Sequence, residues 1–196
     1  MQVTAMNQHS SITLEALYHN CFYNDYNTQL VGNVAEPLYI PEKNNKPAMI
    51  YYRHDYFASA LHEIAHWCLA GEQRRTQEDY GYWYCSDERD VTQQRQFLQV
   101  EVKPQALEWA FSVAAGYAFD VSLDNLGAAP ATASWDYWQG QKQLKLNFIK
   151  NCEGQVHHWL EIGFPVRAQH FIDALVEEYK TRKPLSVEDF RSTAWD

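Results

Sequence analysis

The chain has 196 residues with 46% hydrophobic and 15% aromatic content, enough for one domain with a sizeable core. Its net charge of −9 and lack of a basic tract argue against nucleic-acid binding. No apolar run approaches the roughly 20 residues of a membrane span, and the polar stretch Met1 to Ser11 has no apolar signal core, so the expectation is a cytoplasmic protein with no membrane partner.

Residues 1–10 are expected to be disordered, with 11–196 as a single domain. Leu14, Leu17, Tyr18, Cys21 and Phe22 form a helical stripe. Pro37 to Pro41 is bounded by prolines and is at best an edge strand. Ala48 to Tyr52 has the pattern of a strand leading into the next element. Tyr56 to Ala70 reads as a helix that Asp55 can cap and Gly71 can end. A charged run, Glu72 to Asp79, precedes an aromatic strand, Tyr80 to Cys85. Thr92 opens a helical region to Ala115, where Pro104 predicts a kink or two abutting helices. Gly127 to Ser134 is expected to be a loop, Asp136 to Ile162 helical with a break near Gly154, and Gly163 to Pro165 a turn. Phe171, Leu175 and Tyr179 mark a last helix. Cys21, Cys68, Cys85 and Cys152 form no CxxC pair and are expected to be free thiols. Few strands among many helices predict an α+β domain with a small sheet.

The chemistry centres on His62-Glu63-Ile64-Ala65-His66. Residues four apart on a helix differ by only about 40° in direction, so both imidazoles can reach one ion from adjacent turns. Phe57, Ala60, Leu61, Ile64, Ala65, Cys68 and Leu69 form the core stripe, and both histidines lie off it. A pair of core histidines bonded to carbonyls therefore fits less well than a metal pair.

A third ligand is needed. Glu101 is the first choice, because in a helix it shares a face with Phe97, and a carboxylate on an apolar face needs a cationic partner. Glu72 comes second, then Glu108, Asp79 and Asp124. His157 and His158 are adjacent and point differently. His54 is a candidate for the shell around the ligands. With zinc and one water, Glu63 would be the general base of a peptidase. With Fe(II), two histidines and a carboxylate leave positions for dioxygen and substrate. A binding module with a structural metal is disfavoured, since no fourth ligand is evident. Leu69 and Glu72 stand where a metzincin needs its glycine and third histidine. Tyr80, Tyr82 and Trp83 offer aromatic faces for a cation. On a strand Tyr82 and Trp83 face opposite ways, and Tyr82 is assigned to the pocket because Trp83 is the larger apolar group.

Three segments, His62 to Cys68, Gly81 to Cys85 and Glu101 to Leu107, resemble the elongation factor P hydroxylase family, and the likeness runs from about Leu14 to about Tyr179. The resemblance implies a zincin-like α+β fold with the HExxH helix central and a 2-His-1-carboxylate metal site on His62, His66 and Glu101. It also implies hydroxylation of the lysine of elongation factor P after a β-lysyl group has been attached. Dioxygen would be co-substrate and Fe(II) the metal. No motif identifies the reductant or a 2-oxoglutarate site. Glu63 matches the motif, but the resemblance assigns it no role; it is the candidate catalytic carboxylate from its place in HExxH alone.

Overall fold

The computed structural model describes residues 9–81, 91–123, 135–182 and 184–192. In chain order the elements are α1 (Ser11–Tyr26), β1 (Thr28–Val34), β2 (Leu38–Ile40), β3 (Ala48–Arg53), α2 (Phe57–Leu69), α3 (Val91–Ala115), α4 (Trp135–Ile162) and α5 (Val166–Tyr179). Short 3-10 turns cover Arg74–Thr76, Glu78–Gly81 and Val187–Asp189. This is a single-domain α+β fold. None of its described helices is long and apolar enough to cross a membrane.

The sheet order is β1-β3-β2, with β1 parallel and β2 antiparallel to the central β3. Ala48, Ile50 and Tyr52 alternate as buried residues along β3, the period expected of a strand with one covered face. β2 is the proline-bounded edge piece predicted above. β1 is not anticipated by pattern, because Gly32 and Asn33 look like breakers. Packing requires that glycine: a Cβ on Gly32 would stand 2.6 Å from the Tyr52 ring and 2.7 Å from the His54 carbonyl. Glu15 on α1 closes the same corner, accepting from the Gly32 N–H at 3.1 Å and the Tyr52 hydroxyl at 2.7 Å.

α2 buries Phe57, Ala60, Leu61, Ile64, Ala65 and Cys68, as its stripe predicts, and Trp67 as well. It packs against α3, β3, α1, α5 and β1. Tyr18, Phe22, Trp67 and Phe171 join it to α1 and α5, with ring centroids 4.8–6.2 Å apart. Asp55 does not cap this helix: Tyr56 holds the N-cap position without a side-chain bond. Nor does Gly71 end it. Ala70 is the C-cap, and two arginines take over the terminal carbonyls. The Arg167 guanidinium donates to the oxygens of Trp67, Cys68 and Ala70 at 3.0, 3.0 and 2.5 Å, and Arg75 to Ala70 at 2.8 Å. Cations at a helix C-terminus also suit its dipole.

Three further expectations are corrected. α3 runs through Pro104 as one helix and not as the two abutting helices that were one of the two alternatives. Leu98, Ala106, Leu107, Phe111 and Ala114 bury several of its faces, and that packing outweighs the missing backbone bond. α4 continues past Gly154, since buried Cys152, Val156 and Trp159 fix the helix on either side. Tyr80 and Gly81 lie in a 3-10 turn with left-handed backbone, not in a strand; the rest of that aromatic run, Tyr82 to Cys85, lies outside the described residues, as does the loop expected at Gly127 to Ser134. Of the N-terminal stretch, residues 1–8 also lie outside them. His9 is seated among Phe57, Tyr117 and Tyr179, each with its ring centroid 5.1 Å away. Cys21, Cys68 and Cys152 are free thiols, the last two buried.

Candidate metal centre

The helical spacing does what it promises locally. His62 and His66 leave α2 on adjacent turns, off the core stripe and half-buried, with their Nε2 atoms 3.1 Å apart. α3 crosses α2 and brings Glu101, only 5% exposed, to the same point. Its Oε2 lies 3.5 Å from Nε2 of His62, and its Oε1 lies 3.4 Å from Nε2 of His66. Among the described residues these three form the cluster able to hold a metal ion, with all ligand atoms within 4.8 Å of one another.

Two observations test whether an ion suits this cluster. Oε2 of Glu101 is buried and has no hydrogen-bond partner among the described residues. The nearest cationic group, His62, stands off at 3.5 Å, which leaves this oxygen room for a closer cation. Two ring nitrogens also face each other across 3.1 Å. Metal bonds of about 2.1 Å place neighbouring ligand atoms about 3.0 Å apart at right angles and about 3.4 Å apart at the tetrahedral angle. The 3.1 Å between the two nitrogens lies in this range, and each nitrogen has a different Glu101 oxygen at 3.5 or 3.4 Å, so the donor set suits a divalent metal.

Glu108 makes the contact that sequence reasoning missed. Its Oε2 accepts from Nδ1 of His62 at 2.8 Å, so it orients a ligand instead of being one. Its signal was present: Glu108 follows Glu101 by seven residues, two helical turns on one face, and Gln105 lies between them on that face. Gln94, Glu101, Gln105, Glu108 and Ser112 are all buried polar residues of α3. Gln105 is itself anchored, donating to the Ser122 carbonyl at 2.7 Å and accepting from its N–H at 2.9 Å.

The electrostatics follow this geometry. Burial alone would lower the pKa of His62, but the Glu108 hydrogen bond and the charges of Glu108, Glu101 and Glu63 push it well above the ordinary value. Burial would raise Glu101, yet His66 and His62, helped by Gln105, hold it down at about 2. Glu63 is raised: burial dominates over the attraction of the two histidines.

The other candidates fall elsewhere. Glu72 is exposed beyond the end of α2. Asp79 accepts from the Tyr39 N–H at 2.9 Å. His157 bonds the Phe190 carbonyl through Nε2 at 3.1 Å, and His158 is exposed. His54, expected around the ligands, occupies an exposed turn after β3 with its ring 5.2 Å from Tyr56; its described contacts are to that turn and to Asn33 and Val34 of β1, not to either ligand histidine. Tyr82 and Asp124 lie outside the described residues.

Fold and site together define an α+β protein with a two-histidine, one-carboxylate candidate metal centre. The chain belongs to the elongation factor P hydroxylase family, whose model matches residues 17–190. It is 40% identical over 187 residues to a Haemophilus influenzae protein named elongation factor P lysine hydroxylase, covering 95% of this chain and 98% of that relative. This membership makes the chain a hydroxylating enzyme, an oxidoreductase.

Proposed function

We propose that the protein hydroxylates elongation factor P on a lysine that already carries a β-lysyl group. In this reading the metal is Fe(II), dioxygen is the co-substrate, the fold is zincin-like around the HExxH helix, and the protein works in the cytoplasm. The observation that carries it is the convergence of His62, His66 and the partnerless carboxylate oxygen of Glu101 in a member of this family. Iron bound there supplies the one-electron chemistry with dioxygen that oxidation of a C–H bond requires.

The chain's own residues do the rest. His62, His66 and Glu101 would hold the ion, and three protein ligands would leave positions for co-substrate and substrate. Glu108 fixes the plane of His62 and keeps Nε2 turned to the ion. Glu63, between the two histidines on α2, presents a carboxylate beside the centre. Tyr82 belongs, in this reading, to the pocket for the cationic arm of the substrate.

Protein purified without oxygen, analysed for metal and then incubated with elongation factor P, tests the reading. One added oxygen on the β-lysylated protein, dependent on dioxygen and on iron, is the expected result. Equal reaction with the unmodified protein would remove the β-lysyl requirement. Peptide cleavage under nitrogen, lost in Glu63→Gln, would replace the whole reading with a zinc peptidase.

A further inference from the structure

Tyr80 is a buried residue with an unexplained hydroxyl. It is 5% exposed, and its Oη has no hydrogen-bond partner among the described residues. Buried phenols nearly always have one, so an orphan of this kind needs a cause. The backbone beneath it is also costly. Asp79, Tyr80 and Gly81 are three consecutive left-handed residues, with φ of 46°, 58° and 71°, and two of them carry side chains that disfavour this region.

Tyr39 holds the turn in that state from three directions. Its N–H donates to Asp79 at 2.9 Å, its hydroxyl donates to the Arg75 carbonyl at 2.8 Å, and its ring stacks on Tyr80 at 4.2 Å and 14°. The result is that Tyr80 lies parallel to the imidazole of His66, at 6.4 Å and 8°. Glu63 precedes His66 by three residues, so the two side chains leave α2 side by side. A tyrosine phenol is protonated at neutral pH and able to donate. Strain, burial and an unused donor thus coincide beside the metal helix.

We propose that Tyr80 is a further active-site residue, whose hydroxyl and the Glu63 carboxylate together hold one small group that accepts from the phenol and donates to the carboxylate. The chemistry required is that of water or an alcohol, one lone pair and one O–H. Tyr80 then positions Glu63 through this group, and the strained turn keeps the phenol in place. The proposal rests on the hydroxylase reading only for its turnover measurement.

The test compares metal-loaded wild type with Tyr80→Phe, Glu63→Gln and the double variant. Crystal structures of wild type should show an ordered atom within about 3.2 Å of both Tyr80 Oη and a Glu63 oxygen, absent in Tyr80→Phe. If it is there without substrate it is water; if it comes only with a substrate peptide it is the substrate's. Metal-free Tyr80→Phe should melt at or above the wild-type temperature, because no protein bond is lost, and should bind Fe(II) within about 3-fold of wild type. Turnover should fall about 10-fold or more, and the double variant should be no slower than Glu63→Gln alone. A direct bond from Oη to a protein acceptor, a clear drop in melting temperature, or additive losses would overturn the proposal. If wild type leaves elongation factor P unmodified, the hydroxylase reading fails, while the crystallographic and melting results still decide the role of Tyr80.

Discussion

Nδ1 of His62 donates a 2.8 Å hydrogen bond to Glu108, 46 residues away on the helix that also carries Glu101. One face of α3 therefore supplies both a ligand and the group that aims another ligand. With its Nδ1 proton committed to Glu108, neutral His62 turns a lone pair at Nε2 toward the centre.

Removing Glu108 should weaken the centre without dismantling it. Glu108→Ala is expected to lower metal affinity about 10- to 100-fold, and Glu108→Gln, which still accepts from Nδ1, by less. Competition against a chromophoric chelator measures both. Unchanged affinity in the alanine variant would mean that His62 is oriented by something else.

The choice of third ligand can be checked by a pair of substitutions. Glu101→Ala should abolish stoichiometric metal binding while the fold persists, as judged by circular dichroism. Glu72→Ala, at an exposed position past the end of α2, should bind metal like wild type. Metal loss in Glu72→Ala alone would reverse the assignment.

Acid and base should act on the metal-free protein in opposite ways at its two key groups. Glu101, held at about 2, contributes stability that is present above its unfolded value of about 4.3 and is lost as pH falls toward about 2. His62, raised well above its ordinary value, contributes fully below about 6.5 and loses that contribution as pH rises through its folded value. Melting temperatures of the metal-free protein should fall at both ends, and Glu101→Gln should flatten the acid limb. Protons also compete with metal for His62. Affinity should drop as pH falls through the raised value, and Glu108→Gln should move that drop to lower pH.

Arg167 should matter for stability more than an ordinary half-buried arginine. It bonds three carbonyls at the end of α2, and its guanidinium lies 4.7 Å from the Trp67 ring centroid and 5.5 Å from that of Tyr26. Arg167→Ala is expected to cost about 2–3 kcal/mol, seen as a melting temperature lower by about 5–10 °C. Arg167→Lys should restore only part of this, because all three bonds come from one nitrogen, Nη2, at the tip of a longer side chain than lysine's, and an ammonium lacks the planar face that lies near the Trp67 and Tyr26 rings. Equal stability of wild type and Arg167→Ala would show that Arg75 alone suffices to close the helix.

Local geometry explains what was legible in the sequence. The His62–His66 pair, the core stripe of α2 and the alternation of β3 follow from periods of 3.6 and 2 residues, which hold wherever those elements form. Glu101 could be favoured over Glu72 because a carboxylate beside Phe97 on a helix face has few ways to be satisfied. Elsewhere, local signals misled. Gly154 marked a break, and Pro104 a possible division into two helices, that packing overrode, Gly32 hid a strand whose glycine is required by Tyr52, and Asp55 resembled a cap that it does not form.

Sequence alone determined that two imidazoles share a helix face, since that needs only the four-residue spacing. Tertiary structure decided what meets them there. The crossing of α3 over α2 makes Glu101 a candidate ligand and Glu108 the group that orients His62, and the clasp of Tyr39 on the 78–81 turn lays Tyr80 against His66. These contacts join residues 14 to 46 positions apart, and no local period encodes which of several carboxylates or tyrosines a folded chain will bring into contact.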